Sequence, residues 1–165
     1  MAPSVWLVTG ASSGFGLHIC LAAAATGAQV IGTVRSRTKS ADAVEKLENA
    51  SVRVVELDVS KDAATVKAAA KKAEAINGHI DVLINNAGFS VLGAVEDFSE
   101  DEAHLQFNTN FFGPLWMTQA LLPGMRERKS STVVNVSSIA GLDGLPGCGL
   151  YGGSKFALEG RRLMH

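Results

Sequence analysis

Tyr151 and Lys155 stand four residues apart in the run Tyr151-Gly152-Gly153-Ser154-Lys155. On a helix that spacing puts both side chains on one face, close enough to interact. An ammonium beside a phenol favours the phenolate and draws its pKa down from roughly 10. A phenol tuned in this way can pass a proton to or from a substrate oxygen near neutral pH. Upstream, Ser137-Ser138 follows the apolar run Thr132-Val133-Val134-Asn135-Val136. Open α/β sheets place their ligand crevice at such strand ends, so the Ser138 hydroxyl can hold a substrate oxygen beside Tyr151. A Tyr and a Lys at this spacing also occur on ordinary solvated helices. What makes them a candidate site is the strand-terminal serine before them and a glycine loop in the same chain.

That loop is Thr9-Gly10-Ala11-Ser12-Ser13-Gly14-Phe15-Gly16, between an apolar run and an Ala-rich stretch. Glycines there let the backbone turn sharply and approach a pyrophosphate, and the following helix N-terminus offers free N–H groups and a positive dipole end. Glycines can also serve a tight turn alone; their place between a buried strand and a helix favours phosphate. The next apolar run ends Thr33-Val34-Arg35-Ser36-Arg37 and carries no acidic residue to accept from a ribose 2′-hydroxyl. Arg35 can instead pair with a 2′-phosphate, assisted by Ser12, Ser36 and Arg37. The alternative is that these arginines are solvated loop charges. The missing acid favours NADP(H) over NAD(H).

The elements that must position these groups alternate regularly. Apolar runs at residues 5–8, 30–34, 52–57, 80–84 and 132–136 read as strands, and helical patterns fall near 16–26, 41–49, 63–76 and 100–128. Strands this apolar on both faces belong in a parallel sheet covered by helices. The expected fold is therefore a doubly wound α/β sheet in a single domain. Gly27 should end the first helix, Ser60 should lead into the third, and Ser99 with Glu102 has capping-box spacing before the fourth. Gly113-Pro114 should kink or break that fourth helical region. Asp81 reads as structural at a strand start. Gly152 and Gly153 each weaken the Tyr-Lys helix by roughly 1 kcal/mol.

Taken together, these motifs resemble the short-chain dehydrogenase/reductase family across nearly the whole chain. The shared features are the glycine loop, Leu57-Asp58-Val59, Asn85-Asn86-Ala87-Gly88, Asn110-Phe111-Phe112-Gly113, the Ser138 region and Tyr151-x-x-x-Lys155. The resemblance implies a Rossmann-type NAD(P)-binding fold and an NADP(H)-dependent oxidoreductase that interconverts a carbonyl and an alcohol. It makes Tyr151 the proton donor or acceptor. Lys155 is the group that lowers the Tyr151 pKa and bonds the nicotinamide ribose, and Ser138 polarises the carbonyl. Asn110 holds a relay water. Gly10, Ser12, Ser13, Gly14, Phe15 and Gly16 cradle the pyrophosphate, Asp58 and Val59 meet the adenine, and Asn86, Ala87 and Gly88 line the cofactor channel. It also implies a small-molecule carbonyl or alcohol substrate and a homodimer.

Relatives are expected to continue past residue 165 with a sixth strand, a Pro-Gly loop, substrate-covering helices and a seventh strand. Against that pattern the sequence stops early, with Arg161-Arg162 where an amphipathic helix should continue. A second reading follows, in which the chain is a truncated, catalytically inactive NADP(H)-binding module.

Charge excludes other classes. Lys and Arg number 15 against 16 Asp and Glu, which gives no reason to expect nucleic acid or an anionic membrane as partner. Two cysteines, Cys20 and Cys148, form no disulfide framework, and the N-terminus has no basic segment leading an apolar one, so a cytoplasmic location is expected. Cys148 can border the substrate pocket, although a small loop residue is the simpler reading. The four histidines lack ligand spacing, and no metal is expected.

Overall fold

The structure is a computed structural model and describes residues 2–161. Five parallel strands, β1 (Val5–Val8), β2 (Gln29–Val34), β3 (Arg53–Glu56), β4 (Val82–Asn85) and β5 (Thr132–Asn135), lie in the order β3-β2-β1-β4-β5. Helices α1 (Gly14–Ala25), α2 (Ala41–Asn49), α3 (Ala63–Asn77), α4 (Glu100–Phe107), α5 (Gly113–Arg128) and α6 (Gly149–Glu159) connect or follow them. From β1 the chain winds outward through β2 to β3, then returns to the other side of β1 for β4 and β5. The reversal lies between β1 and β4, where doubly wound sheets bind their ligands.

Two apolar layers sandwich the sheet. Leu7, Ile31 and Leu83 pack with Val66, Ala70, Met117 and Leu121 of α3 and α5. Val8, Val30 and Ile84 pack with Cys20, Ala23 and Leu47 of α1 and α2 on the other face. Burial pushes the Cys20 thiol up to about 12, so this cysteine is a core residue. The three interior strands are nearly continuously buried, as their composition predicts, whereas β3 and β5 are only half-buried. They are the two edges among the described residues, and an edge strand is packed from fewer directions.

Punctuation residues behave as expected with two exceptions. Gly27 adopts φ +85° just past α1, and Ser99 with Glu102 forms the reciprocal capping box of α4. Asp81 is structural, accepting from the Val5 N–H and the Arg128 guanidinium, both at 2.8 Å. Ser60 does not cap α3. Asp62 does, accepting from the Thr65 N–H at 3.0 Å, while Ser60 turns back and donates its N–H and hydroxyl to Asp58 Oδ1. Gly113-Pro114 does not break the fourth helical region either. A π-turn at Asn108–Phe112 joins α4 to α5, so the chain stays helical from 100 to 128. The wider turn falls where a proline ring would otherwise meet the carbonyl of the residue four before it.

Candidate active site

A cleft of about 540 Å³ runs along the C-terminal ends of all five strands. Its lining comes from each strand in turn: Gly10, Ser12, Ser13 and Phe15 after β1, Arg35 after β2, and Leu57, Asp58 and Val59 after β3. Asn86, Ala87, Gly88, Phe89 and Ser90 follow β4, and Val136 and Ser137 follow β5. Thr109, Tyr151 and Lys155 complete the wall. The glycine loop, Arg35, Asp58 and the Tyr-Lys pair, far apart in sequence, therefore share one cavity.

At one end the loop after β1 is held by two side chains, of Thr9 and Asn86, bonded to main-chain atoms. The buried Thr9 hydroxyl accepts from the Asn86 and Ala87 N–H groups, both at 3.0 Å, and the Asn86 side-chain amide donates to the Thr9 and Gly10 carbonyls at 2.8 and 3.2 Å. Gly10 has φ +69°, and a Cβ there would lie 2.8 Å from Ala87 Cα. A Cβ at Gly16 would collide with the Gly10 carbonyl oxygen. Only glycine fits either place, so the backbone stays open toward the cleft. Ser13, at the start of α1, is extended and puts no side-chain oxygen on the first-turn N–H groups, which leaves the helix end able to receive an anion.

Arg35 is exposed, lines the cleft and has no hydrogen-bond or ion-pair partner among the described residues. Arg37 does not join it. Its guanidinium donates to the Val54 carbonyl at 2.9 Å and pairs with Glu48, so it serves the fold instead. Ser36 is bonded to Thr38. Asp58 holds Ser60 through Oδ1 and also lines the cleft, so making the turn leaves it facing the cavity.

At the other end Lys155 is buried, 5% exposed, and its Nζ donates to the Val136 carbonyl at 2.8 Å. The ammonium lies 5.9 Å from the Tyr151 ring centroid. Burial lowers the Lys155 pKa below its ordinary 10.5, and Glu159 partly opposes the shift. Asn110 sits in the π-turn, buried, with its Nδ2 donating to the Phe89 carbonyl and Ser154 Oγ and its Oδ1 accepting from the Phe89 N–H. The Asn110 amide is thus committed to Phe89 and Ser154 and makes no bond to Lys155. Gly88 is what lets them approach: a Cβ there would be 3.2 Å from Asn110 Oδ1 and 3.7 Å from Lys155 Nζ. Gly152 has a similar reason, since a Cβ would lie 3.2 Å from the Ala140 carbonyl.

Among the sequence-selected residues, Gly14, Gly16, Asn110 and Ser138 are not part of the lining. Ser138 is half-buried and accepts from the Ala140 N–H at 3.2 Å, which leaves its hydroxyl proton available. Cys148 lies at the start of α6, outside the lining. Residues the sequence did not single out are Thr9, Gln106, Ser137 and Ser154. Thr9 heads the glycine loop and Ser154 lies between Tyr151 and Lys155, so position was the available signal for both. Ser137 Oγ is buried and lacks a partner in the described structure while its residue lines the cleft. An orphaned hydroxyl at one end of the cleft, with an unpartnered arginine and a side-chain-free glycine turn toward the other, fits a polar, phosphate-bearing ligand that spans it.

Five parallel strands with a cleft at their C-terminal ends that carries a glycine turn and a Tyr-Lys pair define a doubly wound α/β protein. The profile of the short chain dehydrogenase family matches residues 4–162, and the chain belongs to that family. It is 41% identical to a 3-ketodihydrosphingosine reductase of Bacteroides thetaiotaomicron over 160 residues, 97% of this chain and 56% of that one. A short-chain dehydrogenase structure from Streptomyces avermitilis superposes with a TM-score of 0.88 at 43% identity, covering 96% of this chain and 58% of that one. A short chain dehydrogenase/reductase from Burkholderia phymatum, in complex with NAD, gives 0.89 at 30% identity, covering 96% and 57%. The chain thus spans little more than half the length of these relatives.

Proposed function

We propose that the protein is an NADP(H)-dependent oxidoreductase interconverting a carbonyl and an alcohol. The observation that carries this reading is the single cleft that joins the glycine cradle and the unpartnered Arg35 to Tyr151 and Lys155. Gly10, Ser12, Ser13, Gly14, Phe15 and Gly16 would form the pyrophosphate cradle, and Arg35 would take the 2′-phosphate. Asp58 and Val59 would meet the adenine, and Asn86, Ala87 and Gly88 the cofactor channel. When bound, the nicotinamide supplies or takes up the hydride.

The protein's own part is proton handling and orientation. In reduction Tyr151 gives its hydroxyl proton to the carbonyl oxygen as the carbon gains hydride; in oxidation it takes that proton from the alcohol. Lys155, held on the Val136 carbonyl, keeps two donors for the ribose and for stabilising the phenolate. Ser138 donates its hydroxyl proton to the substrate oxygen, and Asn110 fixes the wall behind Lys155. The same reading gives a small-molecule substrate, a cytoplasmic location and a homodimer packed through α5, beside which Phe112 is exposed. Among the described residues no helix is long and apolar enough to cross a membrane.

A second reading, a nucleotide-binding module without turnover, draws on the full commitment of the Asn110 amide and on Ser138 standing outside the lining. Titrating the protein with NADPH and NADH, followed by turnover on a panel of ketones, separates the two. Saturable NADPH binding with no turnover on any carbonyl would leave the module reading standing.

A further inference from the structure

Helix α4 buries one side chain, and that side chain is an amide. Gln106 has no exposed surface; its Nε2 donates to the Phe89 carbonyl at 2.7 Å and its Oε1 accepts from the Val91 N–H at 2.7 Å. The carbonyl of one residue and the N–H two residues on are what a neighbouring parallel strand would engage. β4 has ended at Asn85, so beyond it the Gln106 amide acts as a one-residue stand-in for a strand. One helical turn later the Asn110 amide bonds both the N–H and the carbonyl of Phe89 itself. Phe89 and Ser90, the residues so held, wall the cleft that contains Tyr151 and Lys155.

The geometry points to Gln106 as a positioning residue for proton transfer: it fixes the Phe89–Val91 segment, and through it the wall against which a substrate carbonyl meets Tyr151. This inference rests on the oxidoreductase reading. If the site needed only a filled core, an apolar side chain of similar volume would serve and would leave no amide to satisfy. A buried amide bonded at both ends fixes one backbone register instead.

Two variants test it. Gln106→Glu keeps size and shape. Protonated, its carboxyl donates to the Phe89 carbonyl and accepts from Val91; ionised, it has only acceptors and repels that carbonyl. Burial raises the pKa of this carboxyl. The ionisable groups carried by α4 and by α6, which packs on it, are Glu100, Asp101, Glu102 and His104, all exposed, with Tyr151, Lys155 and Glu159. The kcat of Gln106→Glu relative to wild type should approach one at low pH and fall by up to about 100-fold as pH rises. Gln106→Leu should stay low at every pH, with thermal unfolding confirming that it is folded at the assay temperature. The KM for NADPH should change by no more than about twofold in both, because the nucleotide end is held elsewhere.

Amide exchange at Val91 follows the clamp without turnover, protected in wild type and fast in Gln106→Leu. A pH-independent Gln106→Glu ratio, or wild-type kcat in Gln106→Leu, overturns the positioning role. A wild-type protein without turnover on any carbonyl overturns the oxidoreductase reading and the positioning role with it. In that case Val91 exchange decides the clamp on its own.

Discussion

At the proposed nucleotide end of the cleft, the Thr9 and Ala11 N–H groups donate to the Ile84 and Thr33 carbonyls of the interior strands β4 and β2, and the Thr9 hydroxyl and Asn86 amide add side-chain bonds to main-chain atoms. At the proton-transfer end, Lys155, Asn110 and Ser154 are fixed by side-chain bonds, and Lys155 leans on the chain just past β5, an edge strand among the described residues. The first region tolerates no side chain at Gly10 or Gly16. The second depends on the Asn110 amide, the Ser154 hydroxyl and the Lys155 ammonium keeping their partners. Backbone geometry in a sheet interior is set by many strand bonds at once, whereas a side-chain network loses its shape when one member goes. Cofactor binding should therefore be robust and local, and catalysis fragile and distributed.

The largest effect expected is at the fragile end. Tyr151→Phe removes only the hydroxyl and should lower kcat on the order of 10² to 10⁴-fold while leaving NADPH affinity unchanged. Fluorescence titration beside steady-state turnover reads both, and a parallel loss of affinity would blur the division between the two ends. Next is the nucleotide end's own charge. Arg35→Ala should weaken NADPH binding by about 10- to 100-fold, the worth of a charge-assisted hydrogen bond, and leave NADH binding alone. Equal weakening of both cofactors would remove Arg35 from the 2′-phosphate.

Gly10→Ala tests the backbone claim. With φ +69° and the Ala87 backbone 2.8 Å from the new carbon, denaturant unfolding should show a loss of about 1–3 kcal/mol, and NADPH binding should weaken with it. A wild-type midpoint would mean that the loop yields, and the two ends would then differ less than their bonding indicates. The smallest effect concerns Lys155, whose folded pKa lies below its ordinary 10.5. Between the two values the unfolded chain binds the extra proton, so stability rises as pH climbs from the folded pKa toward 10.5 and is flat below it. Lys155→Met, which has no ammonium to desolvate, should lack that rise when denaturant midpoints are compared from neutral pH to about 10.

The sheet and its order of elements were legible because apolar runs and glycine or capping residues repeat at short range, where a sequence carries its clearest signal. The same holds for Tyr151 with Lys155, four residues apart on one helix. Thr9, Gln106 and Ser154 were not legible, because their partners lie 77, 17 and 44 residues away and only the fold brings them together. Arg37 misled for a related reason: it looks as free as Arg35 until β3 and α2 arrive beside it. Ser60 was displaced as a cap because Asp58 competes for its hydroxyl and Asp62 stands closer to the helix start.

The π-turn at Asn108–Phe112 has a further consequence, which concerns chain length. Asn110, inside it, grips Phe89 at the proton-transfer end. Gly113, directly after it, packs on Val59 at the nucleotide end so tightly that a Cβ would lie 2.7 Å from the Val59 carbonyl oxygen. Five residues thus set the phase between the two ends of one cleft. Deleting any one of them would rotate α5 against α4 by about 100°, one residue's share of a helical turn. Asn110 and Gly113 could not then both find their seats. The extra residue acts as a spacer, and the spacing between the two ends of the cleft is written in its count.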